Sequence, residues 1–491
     1  MKSEFIREQL RYTKEDLKRI FDCSDAEILR IIKRLKGYGI LKTVKYSEDE
    51  KDMSDLSEED IAVIDEDDSQ SKCFYVFAFV GIIIVEGRAL KCYPKYIKEN
   101  AAPKSELIQI MKVLRKYNSK GQIIRLYNDG GNVTTFNRLA VIVYLLNDYY
   151  ENGIYTNTQD IIETNGMGEI HWDKTINGTY PVMQNQRPYY VELQTKRRIN
   201  DDEDFFKRLH ECVLTECTKE LKDSDLLELL GVEGVDLTDE HLKDLGDDDY
   251  ILNRIEKELN VQFNTRKQEL LKSITSLILN KSTIDDLESF SMYGTNSFNM
   301  VWENVCAEVL DNQLNTKIRF LQIEDIKLPA NAAYTEDDEL ISIIEKPTWS
   351  GYREDGSMFT KKAEQTLRPD LISIHKTEST CDFIIFDAKY YSMTLLEKEP
   401  LRGQPGVGDV TKQYLYQLAY RDFIDANKID KIRNCFLMPT EGEEIINKGI
   451  VKMEMLHALK LENIQIRLIP AKMVYSLYLR HEFLDISLLS L

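Results

Sequence analysis

The chain has 491 residues, is 43% hydrophobic and 30% charged, and is long enough for roughly two to four domains. Its formal net charge of −20 argues against strong nonspecific DNA affinity, which rests on phosphate neutralisation by Lys and Arg, so work on DNA needs a local basic patch or a partner that delivers it. No apolar run reaches the length of a membrane span, the stretch 1–10 is charged rather than signal-like, and the eight scattered cysteines form no C-x-x-C pair, so a cytoplasmic chain with no membrane, zinc site or disulfide framework is expected.

In chain order, residues 1–46 read as a winged helix. Thr13-Lys-Glu-Asp16 and Ser24-Asp-Ala-Glu27 are capping boxes that open two helices. The second should face Ile28, Leu29, Ile31, Ile32 and Leu35 inward and Arg30, Lys33, Arg34 and Lys36 outward. Gly37-Tyr-Gly39 stops it, and a first wing strand follows from Ile40. The four cations make this helix a candidate for contact with double-stranded DNA; a protein partner is the other use of such a face.

Residues 48–70 hold twelve Asp or Glu and a single Lys, a self-repelling block expected to be a disordered insertion. From Cys73 the chain reads as strand through 87, turns at Glu86-Gly87 and returns as strand. Helices are expected at 104–117, 134–152 and 204–219. Gly168-Glu-Ile-His-Trp-Asp-Lys-Thr-Ile176 reads as a turn anchored by Trp172 or as a protein-contact loop. Residues 219–290 are helical and acidic, with no ligand pattern.

The chemistry is expected further on. Phe298 to Gln313 reads as a helix whose Glu303 can add a carboxylate. Asp370 opens a β-hairpin, and Asp387-Ala388-Lys389 lies seventeen positions on, after the apolar run Phe383–Phe386. Alternation along a strand puts Asp387 and Lys389 on one face, and the hairpin brings Asp370 beside them. Two carboxylates are hard ligands that suit Mg²⁺, with the Ala388 carbonyl as a third oxygen. The lysine can orient or deprotonate an attacking water and offset charge on phosphorus. The pattern resembles the PD-(D/E)xK nucleases. Downstream, Gln413 and Gln417 lie four apart on one helix face and are candidate assisting residues. Gly403–Gly408 is Gly-rich without a following Lys-Ser/Thr, so nucleotide binding by this chain is not expected. Strands at 434–438, 449–455 and 464–469 and a helix from Ala471 extend and cover the sheet.

Several stretches together resemble the LlaJI-type restriction endonuclease subunit, a group similar to McrC, the nuclease subunit of McrBC systems. They are Val80-Gly-Ile-Ile83, Tyr93-Pro-Lys95, Gly168–Ile176, Pro188-Tyr-Tyr190, Leu209-His210, Trp302-Glu303, Leu367–Asp370 and Phe386–Tyr390. The resemblance spans roughly 73–490 and leaves the first helices outside. It implies a nuclease subunit acting against phage or foreign DNA, and a separate McrB-like AAA+ GTPase or ATPase on which the region before the nuclease docks. The expected fold class is α+β and multidomain. A winged helix-like domain with an acidic insertion occupies 1–72, a McrC-like mixed β and helical partner-docking region 73–290, and a PD-(D/E)xK nuclease α/β fold 291–491. The alternative is a DNA-binding adaptor or regulator of the motor, with vestigial carboxylates. The resemblance assigns no role to His171 or His210.

Overall fold

The computed structural model describes residues 2–45, 73–117, 137–200, 204–224, 226–280, 290–376 and 380–491. The acidic block 48–70 and the first residues of the helix expected from 134 lie outside them. The chain is a mixed α+β structure with several sheets. Its contacts form two compact units, one of residues 123–291 and one of residues 2–122 with 292–491.

In the larger unit both capping boxes form, at Thr13–Asp16 and Ser24–Glu27, and open the helices Lys14–Phe21 and Asp25–Gly37. Ile28, Ile31, Ile32 and Leu35 are buried, but Leu29 is 53% exposed. At 100° per residue Leu29 falls off the stripe that the other four share, which corrects its expected inward placement. The strand Leu41–Lys45 pairs antiparallel with Cys73–Phe77, which also pairs with Arg11–Tyr12. The long strand expected from Cys73 is thus two, Cys73–Phe77 and Val80–Val85, in different sheets.

The boundary expected at 72 does not separate two bodies. Cys73–Phe77 completes the small N-terminal sheet. The strand Lys2–Arg7, which sequence reading missed, pairs parallel with Arg88–Tyr93 in a second sheet, ordered Lys2–Arg7, Arg88–Tyr93, Val80–Val85, Phe290–Thr295. The last two strands touch at glycines. A Cβ on Gly81 (φ +140°) would run into the Tyr293 carbonyl, and one on Gly294 (φ +157°) into that of Val80. Gly81→Ala is therefore expected to cost about 3 kcal/mol or more, read as a lowered urea midpoint. Gly37→Ala, with nothing within 4 Å of the new methyl, should be neutral or stabilising.

The C-terminal sheet has five strands in the order Leu371–Lys376, Cys381–Ala388, Lys431–Thr440, Ile464–Pro470, Ile446–Val451. The two outer pairs are antiparallel and the three central strands parallel. Parallel neighbours need a crossover, and the helix Val407–Ala426 supplies the first. It packs Tyr416, Tyr420, Phe423 and Ile424 onto Ile372, Ile374, Phe383 and Ile385. Val410 and Tyr414 join a second cluster with Phe436, Met438 and Ile466. The helix Phe298–Val309 also packs against the strand Cys381–Ala388; its Trp302 is fully buried and donates its indole N–H to the Leu437 carbonyl at 3.5 Å.

In the smaller unit the helices Arg138–Asn152, Phe205–Asp223, Asp248–Val261 and Thr265–Leu279 bury an apolar core. Arg266 pairs with the buried Asp148 at 2.7 Å, and Arg138 with Glu220 at 2.8 Å. A three-stranded sheet of Thr158–Thr164, Gln194–Asn200 and Glu169–Ile170 is followed in space by a short helix, Trp172–Gly178, and a ribbon, Val182–Gln184 with Arg187–Tyr189.

Candidate active site

Leu371 lies opposite Phe386 in the antiparallel register of the hairpin. Asp370, one residue before that strand, therefore reaches the end at which Asp387 and Lys389 leave the other. The backbone N–H of Ala388 donates to the Asp370 carboxylate at 2.9 Å, which ties it to the neighbouring strand. The Asp387 carboxyl lies close enough to Asp370 for the two to perturb each other's charge. Strand geometry ends at Ala388, but the Lys389 N–H still donates to the Leu437 carbonyl at 2.8 Å, so its backbone is fixed. The Lys389 ammonium stands 3.1 Å from Asp387 and 3.3 Å from Asp409.

Burial pushes the Asp387 carboxyl up to about 8, and the hydrogen bond and charge of Asp370 add to it; Lys389 works the other way. Burial disfavours the Lys389 ammonium, but the carboxylates of Asp387, Asp370 and Asp409 outweigh it and hold its pKa above the usual lysine value. Tyr416 walls the centre. Its phenol is pushed up by burial first and then by Asp387 and Asp370, and its hydroxyl donates to the Arg368 carbonyl at 2.8 Å.

Asp409 is the residue sequence reasoning missed. It sits in the first turn of the helix Val407–Ala426, four residues before Gln413 and on the same face. The i, i+4 step that singled out Gln413 and Gln417 leads back to it. Gln413 is fully buried, and both ends of its amide lack a hydrogen-bond partner among the described residues. Gln417 is committed elsewhere. Its amide donates to the Glu462 carbonyl at 2.9 Å and accepts from the Glu462 N–H at 3.0 Å, which makes it a backbone clamp instead of an assisting residue.

Glu303 is half-buried on the helix Phe298–Val309. Burial raises the thiol pKa of Cys306 well above the usual value, and the charges of Asp370 and Glu303 both add to it. Glu303 thus lies on the side of the centre. Among the described residues no group of three or more His, Cys, Asp or Glu is placed to hold an ion. What is present is a carboxylate pair, Asp370 and Asp387, facing each other with a proton or cation needed between them. That donor set fits Mg²⁺, which binds through one or two carboxylates and takes its remaining oxygens from water and substrate phosphate.

The other singled-out residues lie away from this centre. On the helix Asp25–Gly37, Arg30 pairs with Glu86 at 2.9 Å and Lys36 lies 5.9 Å from the Tyr75 ring, while Lys33 is exposed and Arg34 half-buried. The four cations therefore do not form a free arc. His171 caps the helix Trp172–Gly178 by accepting from the Lys174 N–H. His210 is buried, accepts from the Tyr155 N–H at 3.0 Å, and has its pKa pushed down to about 3 by burial and then Arg266. Trp172 is 55% exposed and anchors no turn. With Met167, Tyr180, Met183 and Val191 it belongs to a run of exposed apolar side chains.

The Tyr390 hydroxyl, next to Lys389, donates to the Glu8 carboxylate at 2.5 Å, and the Lys95 N–H donates to the same oxygen at 3.3 Å. No local pattern announces this contact, since its partners lie 382 residues apart.

The sequence model of the LlaJI restriction endonuclease family matches residues 79–327 and 330–472. Among curated proteins, the chain is 25% identical over 420 residues to a protein of Bacillus subtilis, the type II restriction enzyme BsuMI component YdjA, covering 83% of this chain and 81% of that one. It is also similar to a chain of a half-complex of Thermococcus gammatolerans McrB AAA+ hexamers with bound McrC, at 12% identity and a TM-score of 0.36, covering 98% and 99% of the two chains. A chain of the Thermococcus gammatolerans McrBC complex matches at 14% identity and a TM-score of 0.25, over 64% of this chain and 88% of that one. Both structural likenesses are too distant to carry geometry across. No described helix is long and apolar enough to cross a membrane.

Proposed function

The chain belongs to the LlaJI restriction endonuclease family and is a restriction endonuclease, and from that premise we propose that it cuts duplex DNA at the Asp370–Asp387–Lys389 centre, with Mg²⁺, as the nuclease subunit of a motor-driven restriction system. The observation that carries the reading is the Lys389 ammonium held 3.1 Å from Asp387, with Asp370 tied to the Ala388 N–H. The five-stranded sheet with its hairpin is read as a PD-(D/E)xK fold, and the first helices as a winged helix.

Asp370 and Asp387, with the Ala388 carbonyl, would hold Mg²⁺, which supplies charge at the scissile phosphate and a water of lowered pKa. Lys389 donates to the attacking water or to a phosphate oxygen and offsets charge building on phosphorus. Asp409 keeps that ammonium charged and aimed. Glu303 adds negative potential from the flanking helix. The buried Gln413, one turn from Asp409, backs the same wall.

The proposed partner is an AAA+ GTPase or ATPase resembling McrB. A chain of net charge −20 is poorly suited to gather DNA by itself, so a separate motor that brings duplex to the centre fits its composition. The proposed docking surface is the exposed apolar run around Trp172, Tyr180 and Met183, where so much uncovered hydrophobic surface marks a protein contact. Changing these three to Ser should weaken assembly with the motor at least about tenfold in a pull-down titration and leave this chain's melting temperature unchanged.

The decisive experiment assembles the chain with its motor, nucleotide, Mg²⁺ and phage DNA. Wild type should cleave, and Asp387→Asn and Lys389→Met should not. Full cleavage by both variants would remove the centre from the mechanism. Binding without cleavage by wild type, across metals and DNA methylation states, would make the chain an adaptor.

A further inference from the structure

One element of the nuclease half has no part in the centre described above. The ribbon of Thr348–Tyr352 and Met358–Lys362 pairs only with itself among the described residues. Cross-strand partners share a face. One face carries Trp349 opposite Lys361 and Gly351 opposite Phe359. There the Arg353 guanidinium lies 5.7 Å from the Phe359 ring centre, and the Lys361 ammonium 6.0 Å. The other face carries Thr348 opposite Lys362, Ser350 opposite Thr360 and Tyr352 opposite Met358. Trp349 is 72% and Tyr352 75% exposed, although large aromatics normally seek cover.

Charge separates this ribbon from the rest of the chain. Neither strand contains Asp or Glu. Residues 346–362 carry Lys346, Arg353, Lys361 and Lys362 against Glu354 and Asp355, a net +2 within a chain of −20. Both acids lie at the tip, where Asp355 is taken up by the Ser357 N–H and hydroxyl. The base is firm: the Ala363 N–H donates to the Pro347 carbonyl at 2.8 Å, and the Thr366 hydroxyl to the Glu345 carbonyl at 2.7 Å. Only residues 363–369 separate the ribbon from Asp370, a span of at most about 29 Å when fully extended. That is less than one turn of duplex, roughly 34 Å.

We propose that this ribbon is a duplex-gripping arm, in which Trp349, Lys361 and Lys362, with Lys346 and Arg353, hold DNA beside the phosphate presented to the centre. The arm takes the position of the DNA from the nuclease reading above. Duplex is the occupant the chemistry fits. Cations with interleaved Ser and Thr hydroxyls suit phosphate oxygens, and a two-stranded ribbon is narrow enough to enter a major groove. An acidic motor surface would be drawn by the same cations but would not produce a steep salt dependence with DNA.

The test uses the full-length chain and a fluorescent duplex without divalent ions, so that binding is read apart from cleavage. Lys361→Gln with Lys362→Gln should weaken binding and flatten the slope of log affinity against log salt by about 1.8, at roughly 0.9 per phosphate contact. Trp349→Ala should weaken binding with the slope unchanged, because the indole carries no charge and releases no counterion. Wild-type affinity and slope in the double variant would overturn the arm, as would a wild-type chain that binds no duplex at low salt. Loss of motor assembly with DNA binding intact would assign the ribbon to a protein and also overturn it. The two readings fail separately: cleavage abolished by Asp387→Asn alongside unaltered binding by ribbon variants leaves the nuclease without the arm. A lost salt slope in a chain that never cuts leaves the arm without the nuclease.

Discussion

Asp387→Asn is expected to lower DNA cleavage by roughly a thousandfold and, at the same time, to stabilise the metal-free chain. The two effects share one cause. Asp387 is 6% exposed and faces Asp370, so its carboxyl holds a proton up to a pH of about 8, whereas an unfolded Asp loses it near 4. A native pKa above the unfolded one means that the native state binds more protons between those values. Stability then falls as pH rises from about 4 to about 8, and the full loss is present above that. The opposing effect of Lys389 is already contained in that shift, and the loss amounts to a few kcal/mol. The Asn amide carries no charge and can still donate to Asp370, so thermal melts in EDTA should show the variant gaining most at pH 9 and little at pH 5. Equal melting temperatures for variant and wild type at pH 9 would show that the pair is not buried and strained in this way.

Lys389→Met is expected to abolish cleavage as completely while moving stability the other way. The ammonium is the common counter-charge of Asp387 and Asp409, and its loss leaves the buried acidic groups of Asp370, Asp387 and Asp409 without a cation. Removing one member of a largely buried ion cluster destabilises by about 2–3 kcal/mol. Because the native lysine pKa lies above the unfolded one, its contribution is fully present at neutral pH and fades only above about 10.5. Asp409→Asn should fall between: cleavage at saturating DNA drops about tenfold, with little change in DNA affinity, because Asp387 alone still holds the lysine. Asp409→Glu should restore most of the rate. Opposite signs in the melts of Asp387→Asn and Lys389→Met, both inactive, distinguish an electrostatic centre from simple packing damage, which would destabilise both.

The hairpin was legible because its signals are local. An apolar run leads into Asp387, an alternation fixes which side chains share a face, and the antiparallel register brings Asp370 across. The two capping boxes were legible for the same reason, each being closed within four residues. What sequence reading lost were pairings over long separations. The strand Lys2–Arg7 finds its partner at Arg88–Tyr93, and Gln417 finds its own at Glu462; nothing in either local pattern specifies them. Helical spacing put Gln413 and Gln417 on one face, but which of them nears the centre depends on where the following loop crosses. At Trp172 composition left an anchored turn and a protein-contact loop both open, and the chain leaves the ring half in solvent.

The bond from Tyr390 to Glu8 has a consequence for the order in which the molecule can be made. At about 5–20 residues per second, roughly 20–80 s of synthesis separate the carboxylate from the hydroxyl that closes on it. The edge strand Lys2–Arg7 can dock once Arg88–Tyr93 has emerged, but the residue beside Lys389 stays without its support until nearly four-fifths of the chain has been made. The proposed centre at Asp370, Asp387 and Lys389 therefore gains this support only late in translation, and a nascent or truncated chain lacks it.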